Sequence, residues 1–216
     1  MEQKKLKIKV CGMKYATNIQ EVAALQPDYL GFIFYPKSPR NFEGAIPEID
    51  HTIKKTGVFV DAEIDFIFEK VKKYDFKAVQ LHGSESPEYC KNLREKLTNI
   101  EIFKVFGIKD AFDFSILASY EWYVNYFLFD TKGKQKGGNG YAFDWSVLKN
   151  YTSKVPIILS GGIGIEELSK IEQILKTDLP IYALDLNSKF EITPGVKDAK
   201  RVKEFLEKVE QLTANS

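Results

Sequence analysis

The sequence predicts an α/β protein, a single-domain (β/α)8 TIM barrel spanning residues 1–216. Three observations lead there. Strand-like and helix-like segments alternate along almost the whole chain. Eight strand candidates fit within its 216 residues, close to the size this barrel takes. The rival architecture, a doubly wound open sheet, usually has fewer strands at this length, and no Gly-x-Gly-x-x-Gly follows the first strand. No linker, low-complexity tract or break in composition divides the chain.

The strands expected are Lys7–Cys11, Tyr29–Phe34, Thr56–Val60, Ala78–His82, Glu101–Phe106, Tyr123–Asp130, Pro156–Ser160 and Ile181–Leu186. All are short, rich in Val, Ile, Phe and Tyr, and bounded by Gly, Pro, Asp or Asn. Helical stretches are expected between them. In 18–25 the apolar positions are Ile19, Val22, Ala23 and Leu25. In 64–74 they are Ile64, Ile67, Phe68 and Val71, at helical spacing. Ile165, Leu168, Ile171, Ile174 and Leu175 mark a third stretch, and 202–212 a last one. Ser86-Pro87 places Ser at an N-cap and Pro at the first helical position. Asp61 and Asp144 have the chemistry of helix caps, and His51 falls in a stretch expected to be helical and exposed. The segment 110–120, short and aromatic, is the weakest helix of the set. Each strand is nonetheless expected to lead into a helix.

Composition narrows the function class. Thirty-one Lys and Arg against 30 Asp and Glu leave a net charge of +1, which gives no global pull toward nucleic acid or a membrane surface. Two cysteines, Cys11 and Cys90, are too few for a disulfide framework and suit a reducing compartment. No signal peptide and no run near the ~20 apolar residues of a membrane span is seen, so a cytoplasmic protein is expected.

In such a barrel, chemistry sits where strands run into the loops that follow them. Those ends carry Cys11, Arg40 beyond Phe34, Val60-Asp61, His82-Gly83, Phe106-Gly107, Asp130, Ser160-Gly161-Gly162 and Asp185-Leu186-Asn187-Ser188. Gly161 and Gly162 follow the seventh strand and open a helix, so their backbone N–H groups could meet an anion at a helix N-terminus. Asn187 and Ser188 follow the eighth strand, the other usual contributor to a barrel phosphate site. Asp130 ends an aromatic strand whose wall would keep water from its carboxyl, a setting suited to a general acid; a turn or capping role is the alternative. The Gly- and Lys-rich segment 131–140 after it could close over a ligand. Alternation along the first strand puts Lys7, Lys9 and Cys11 on one face, where Lys9 would favour a thiolate. Taken alone, a cysteine ending a hydrophobic strand is more often an inert core residue, as Cys90 in its helix is expected to be. Gln80 and His82 share a face of the fourth strand and could line the pocket.

Taken together, Lys9-Val10-Cys11-Gly12, Gly31-Phe32-Ile33-Phe34 with Ser38-Pro39-Arg40, and Val79-Gln80-Leu81-His82-Gly83 form an ordered set. It continues with Phe129-Asp130, Gly137-Gly138-Asn139-Gly140, Phe143-Asp144-Trp145 and Leu159-Ser160-Gly161-Gly162. Asp185-Leu186-Asn187-Ser188, Glu191, Pro194-Gly195 and Lys197-Asp198 complete it. The chain thereby resembles the phosphoribosylanthranilate isomerases of tryptophan biosynthesis from its first strand to its last helix. The resemblance implies an Amadori rearrangement by general acid and base, with Asp130 as acid and Cys11 as base. It also implies that Arg40 binds the anthranilate carboxylate and that neither metal nor organic cofactor is needed; Gln80 and His82 are expected from their shared strand face to bind substrate, with a structural hydrogen bond at the rim as the alternative for His82. The partner implied is a small phosphosugar–anthranilate, with no nucleic acid or membrane, and the assembly a monomer or homodimer. Two positions depart from the family's pattern: Asn139 stands where Thr or Ser is common, and Lys189-Phe190 follow Ser188 where Gly-Val is usual. Another phosphosugar barrel enzyme would use lysine, glutamate or metal instead of the Cys11/Asp130 pair. A non-catalytic relative would have lost one of the two, and a thiol redox protein would need a resolving cysteine beside Cys11.

Overall fold

The computed structural model describes residues 6–131 and 144–214. Eight parallel strands close into a barrel in chain order, β1 Lys7–Cys11, β2 Tyr29–Phe34, β3 Lys54–Phe59, β4 Ala78–Leu81, β5 Glu101–Ile108, β6 Tyr126–Thr131, β7 Ile157–Leu159 and β8 Ile181–Leu186. The seam is made by β1 and β8, with Lys9 opposite Asp185. Five α-helices lie outside: α1 Ala16–Ala23, α2 Ile64–Tyr74, α3 Pro87–Lys96, α4 Leu168–Leu175 and α5 Ala199–Ala214. A two-stranded hairpin, β9 Glu191–Thr193 with β10 Val196–Lys197, stands between β8 and α5.

The expectation of a helix after every strand is corrected. No helix follows β2, where Pro36, Pro39 and Pro47 each remove a backbone donor. Short 3-10 helices, Phe114–Ser119 and Trp145–Asn150, follow β5 and β6. Asp113 caps the first and Asp144 the second, each accepting from the backbone N–H two residues on. Asp61 is not a cap: α2 begins after Glu63, and the Asp61 carboxylate accepts instead from the Ser84 N–H. His51 sits in a turn, not a helix, with its side chain exposed. β6 starts at Tyr126 because the Tyr123 N–H is used in a turn to the Tyr120 carbonyl. β5 continues past Phe106 because Gly107 and Ile108 still pair with Asp130 and Thr131. As anticipated, Ser86 caps α3, accepting from the Tyr89 N–H.

Two hydrophobic layers result. The larger lies between strands and helices; the smaller fills the barrel with Tyr29, Ala78, Phe103, Val105, Leu128, Ile158 and Ala183. At the N-terminal end of the strands the interior is stopped by a tyrosine floor. Tyr126 and Tyr182 stack at 4.2 Å, the Tyr29 and Tyr182 hydroxyls meet at 2.7 Å, and Tyr29 donates to Glu101 at 2.9 Å. Burial and these neighbours push the Tyr29 phenol well above its ordinary range, so the floor is uncharged at its centre. Above the apolar filling the barrel turns polar, and that is where it opens.

Candidate active site

At the C-terminal mouth one cleft is lined by Cys11, Arg40, Gln80, His82, Asp130, Gly161, Gly162, Asn187 and Ser188, together with Ser38, Ser160, Asp185 and Lys189. Every site residue expected from the sequence therefore reaches the same cavity. The segment 132–143, which holds the glycine-rich loop, Asn139 and Phe143, lies outside the described residues.

Cys11 is the last residue of β1 and points inward. Its sulfur fits because β2 offers Gly31 opposite, in register with Cys11. A Cβ at Gly31 would stand 2.9 Å from the Cys11 Sγ, closer than packed atoms tolerate. Burial pushes the thiol above its ordinary range, the Lys9 ammonium opposing this and Asp185 reinforcing it. Lys9 favours the thiolate as expected, but it does not act as a free charge. Lys9 is fully buried and donates to the Asp185 Oδ1 at 2.8 Å, so its charge is matched across the barrel seam. Burial alone would lower the Lys9 ammonium; Asp185 and the neighbouring Cys11 more than reverse that and hold it protonated.

Asp130, near the end of β6, has its two oxygens in different surroundings. Oδ1 accepts the Thr131 N–H at 2.8 Å, while Oδ2 faces the His82 Nε2 at 3.4 Å. The other nitrogen of His82 meets the Gln80 amide at 3.1 Å. Gln80 and His82 thus form a line across β4 that ends on the Asp130 oxygen not used by the backbone.

Arg40, in the loop after β2, is held side-on by Glu191: Nε and Nη2 donate to its two oxygens at 2.8 and 2.6 Å. That face is unavailable to a ligand, so the expected carboxylate pairing has to use the Nη1 side. Glu191 also accepts from the Lys197 Nζ at 2.7 Å and from the Gly195 N–H at 3.0 Å. Burial pushes the Glu191 carboxyl up, but Arg40 and Lys197 outweigh it and hold the group below the ordinary glutamate value.

The two strand-end turns expected to meet a phosphate both line the cleft. Ser160 leads into Gly161 and Gly162, whose φ values are +80° and +69°. The expected helix at this turn is corrected to a single 3-10 turn, Ile165–Glu167, with α4 starting only at Leu168. Asn187 and Ser188 open another 3-10 turn after β8, and Lys189 joins them on the cavity wall. Sequence reasoning gave no role to Lys9's partner Asp185, to Gly31, or to the Glu191–Lys197 pair. Gly31 lies within β2 and Glu191 and Lys197 in the hairpin after β8, and only strand pairing and the packing of that hairpin bring them to Cys11 and Arg40. Among the described residues, no group of three or more His, Cys, Asp and Glu could hold a metal ion.

Similarity agrees with this geometry. The sequence profile of the N-(5'phosphoribosyl)anthranilate (PRA) isomerase family matches residues 8–208. An N-(5'-phosphoribosyl)anthranilate isomerase from Parabacteroides distasonis is 43% identical over 209 residues, covering 94% of this chain and 92% of that protein. Another from Phocaeicola vulgatus is 36% identical over 204 residues, covering 94% and 98%. The crystal structure of phosphoribosyl anthranilate isomerase from Thermotoga maritima superposes with a TM-score of 0.81 at 28% identity, covering 96% of this chain and 100% of that one. A phosphoribosyl anthranilate isomerase in complex with reduced 1-(o-carboxyphenylamino)-1-deoxyribulose 5-phosphate does so with 0.77 at 26%, with the same coverage. With a profile match over nearly its whole length, relatives well above 30% identity and a barrel that closes as theirs do, this chain belongs to the N-(5'-phosphoribosyl)anthranilate isomerase family.

Proposed function

We propose that Asp130 and Cys11 divide the proton transfers by which this isomerase converts N-(5-phosphoribosyl)anthranilate to 1-(2-carboxyphenylamino)-1-deoxy-D-ribulose 5-phosphate in tryptophan biosynthesis. Asp130 protonates the furanose ring oxygen, the C1′–O bond breaks, and the nitrogen lone pair forms an iminium. Cys11, as thiolate, removes the C2′ proton and leaves an enolamine. Tautomerisation of the enolamine gives the ketone. The proton leaves Asp130 from Oδ2, since Oδ1 is committed to the Thr131 N–H. The thiol is a base and forms no bond to carbon.

The observation that carries this reading is the convergence of Cys11, Asp130, Arg40 and both strand-end turns on one cavity. A substrate with a phosphate at one end, a carboxylate at the other and a sugar between them matches that order of groups. Arg40 takes the anthranilate carboxylate through its free edge. Gly161, Gly162, Asn187 and Ser188 take the phosphate through backbone and side-chain donors, with Lys189 adding charge. Gln80 and His82 stand between them and contact the sugar. The test is direct: anthranilate-type fluorescence is followed after enzyme meets freshly generated phosphoribosylanthranilate. Loss faster than the uncatalysed rate is expected, and its absence would overturn the reading. The expected assembly is a monomer or a homodimer. A structure with a TM-score of 0.75 at 25% identity is of mutually generated monomers of the dimeric phosphoribosylanthranilate isomerase from Thermotoga maritima, and sedimentation velocity distinguishes the two states here.

A further inference from the structure

The charges around Cys11 do not balance. Among the described residues, Lys9 comes from the thiol's own strand, Asp185 from β8, Glu191 and Lys197 from the β9–β10 hairpin and Arg40 from the loop after β2; His82, Asp130 and Lys189 line the same cleft. Lys9 and Asp185 form a one-to-one pair at 2.8 Å, within which Lys9 has the stronger pull on the thiol. Glu191 is a single carboxylate shared by two cations, Arg40 at 2.6 Å and Lys197 at 2.7 Å. That group carries a surplus positive charge.

The surplus lies against Gly12, the residue after the thiol. Gly12 has φ +79°, and a Cβ there would meet the Arg40 Cδ at 2.8 Å, the Asn187 Oδ1 at 2.9 Å and the Lys197 Nζ at 3.4 Å. Arg40, Asn187 and Lys197 therefore occupy the space a side chain next to Cys11 would fill. Lys197 is built into that position. Its side chain is fully buried, its Nζ donates to Asn187 and Glu191 at 2.7 Å each, and its backbone is clamped by Asn18 on both sides. A buried ammonium is costly unless paired, so so enclosed a site implies a use for its charge.

We propose that the Arg40–Glu191–Lys197 cluster is the electrostatic support of the Cys11 thiolate, with Lys197 as its positioning residue. The charge of the cluster adds to that of Lys9, whose ammonium is the larger counterweight to burial of the thiol. Burial disfavours the thiolate, and a net cation close by is the counterweight that makes it accessible. Burial draws the Lys197 ammonium down to about 8 against the pull of Glu191, while Cys11 raises it, so the surplus charge is full only below that pH. The inference rests on Cys11 being the base.

The test titrates the thiol without substrate, in a Cys90→Ala background so that Cys11 alone reacts. Iodoacetamide alkylation is followed against pH. Lys197→Met and Arg40→Gln each bring the cluster to neutrality, and each should raise the alkylation midpoint by about one pH unit, about tenfold less thiolate below both midpoints. Arg40→Lys keeps the charge and should keep the parental midpoint, which a purely structural role would not require. The proposal is overturned if Arg40→Gln and Lys197→Met stay within about 0.3 units of the parent, or if Arg40→Lys shifts as far as Arg40→Gln. Should Lys197→Met fail to fold, the rim pair at Arg40 decides alone. Failure of the base assignment is distinguishable, because Cys11→Ala would then retain turnover whatever the titration gives.

Discussion

At the scale of single residues, the division of labour between Cys11 and Asp130 makes a sharp prediction. Cys11→Ala and Asp130→Asn should each lower kcat by roughly 10²–10⁴-fold, the usual contribution of a positioned acid or base. Binding of a product analogue, followed by fluorescence, should be largely kept; near-normal turnover in both variants would dismiss the mechanism. Arg40→Ala should raise KM about tenfold or more for loss of a charge-assisted contact, and should lower kcat as well because it withdraws positive charge from the Cys11 thiolate. An unchanged KM would return Arg40 to a rim role set by Glu191. The positions proposed as acid and base were legible because they lie at or next to strand ends, where a period-2 pattern stops on a polar group. Their surroundings were not. Alternation put Lys9 beneath Cys11 correctly, but no pattern within β1 could reveal that Asp185, 176 residues away, pairs with it.

At the scale of elements, the β9–β10 hairpin is a strap that holds Arg40. Lys197 stands opposite Glu191 in its register, and Glu191 reaches out to the loop after β2. The Glu191 carboxyl is held below the value of 4.5 it has when free, so it binds fewer protons folded than unfolded through that interval. Its contribution to stability is therefore full above pH 4.5 and is lost as pH falls through the lower folded value. Glu191→Gln should accordingly show a depressed Tm at neutral pH and approach the parent in acid, as read by thermal melts across pH; a constant gap would contradict the linkage. A second tie joins the loops after β3 and β4 to strand β5 itself. Buried Glu85 accepts from the Asp61 and Gly83 N–H groups at 3.0 Å and from the Lys104 Nζ at 2.8 Å. Most helices were readable from apolar spacing, and β8 was read with its observed bounds. The segment after β2 was not, because a barrel rule supplied a helix that three prolines forbid.

At the scale of the whole molecule, the barrel closes where β1 meets β8, and the only ion pair in that ladder among the described residues is Lys9–Asp185. Both side chains are essentially out of water, so removing one partner strands a buried charge. Lys9→Met should cost about 3–5 kcal/mol in urea unfolding at neutral pH. The deficit should shrink in acid, because burial already pushes the Asp185 carboxyl up and an unpaired Asp185 would take a proton sooner. A loss independent of pH would mean that packing, not charge, ties the seam.

The tyrosine floor makes the barrel a cup and not a pipe. With Tyr29, Tyr126 and Tyr182 closing the end away from the site, reactant and product share one doorway. Each turnover must empty the cup before the next can begin, so accumulated product delays the enzyme by occupying its entrance.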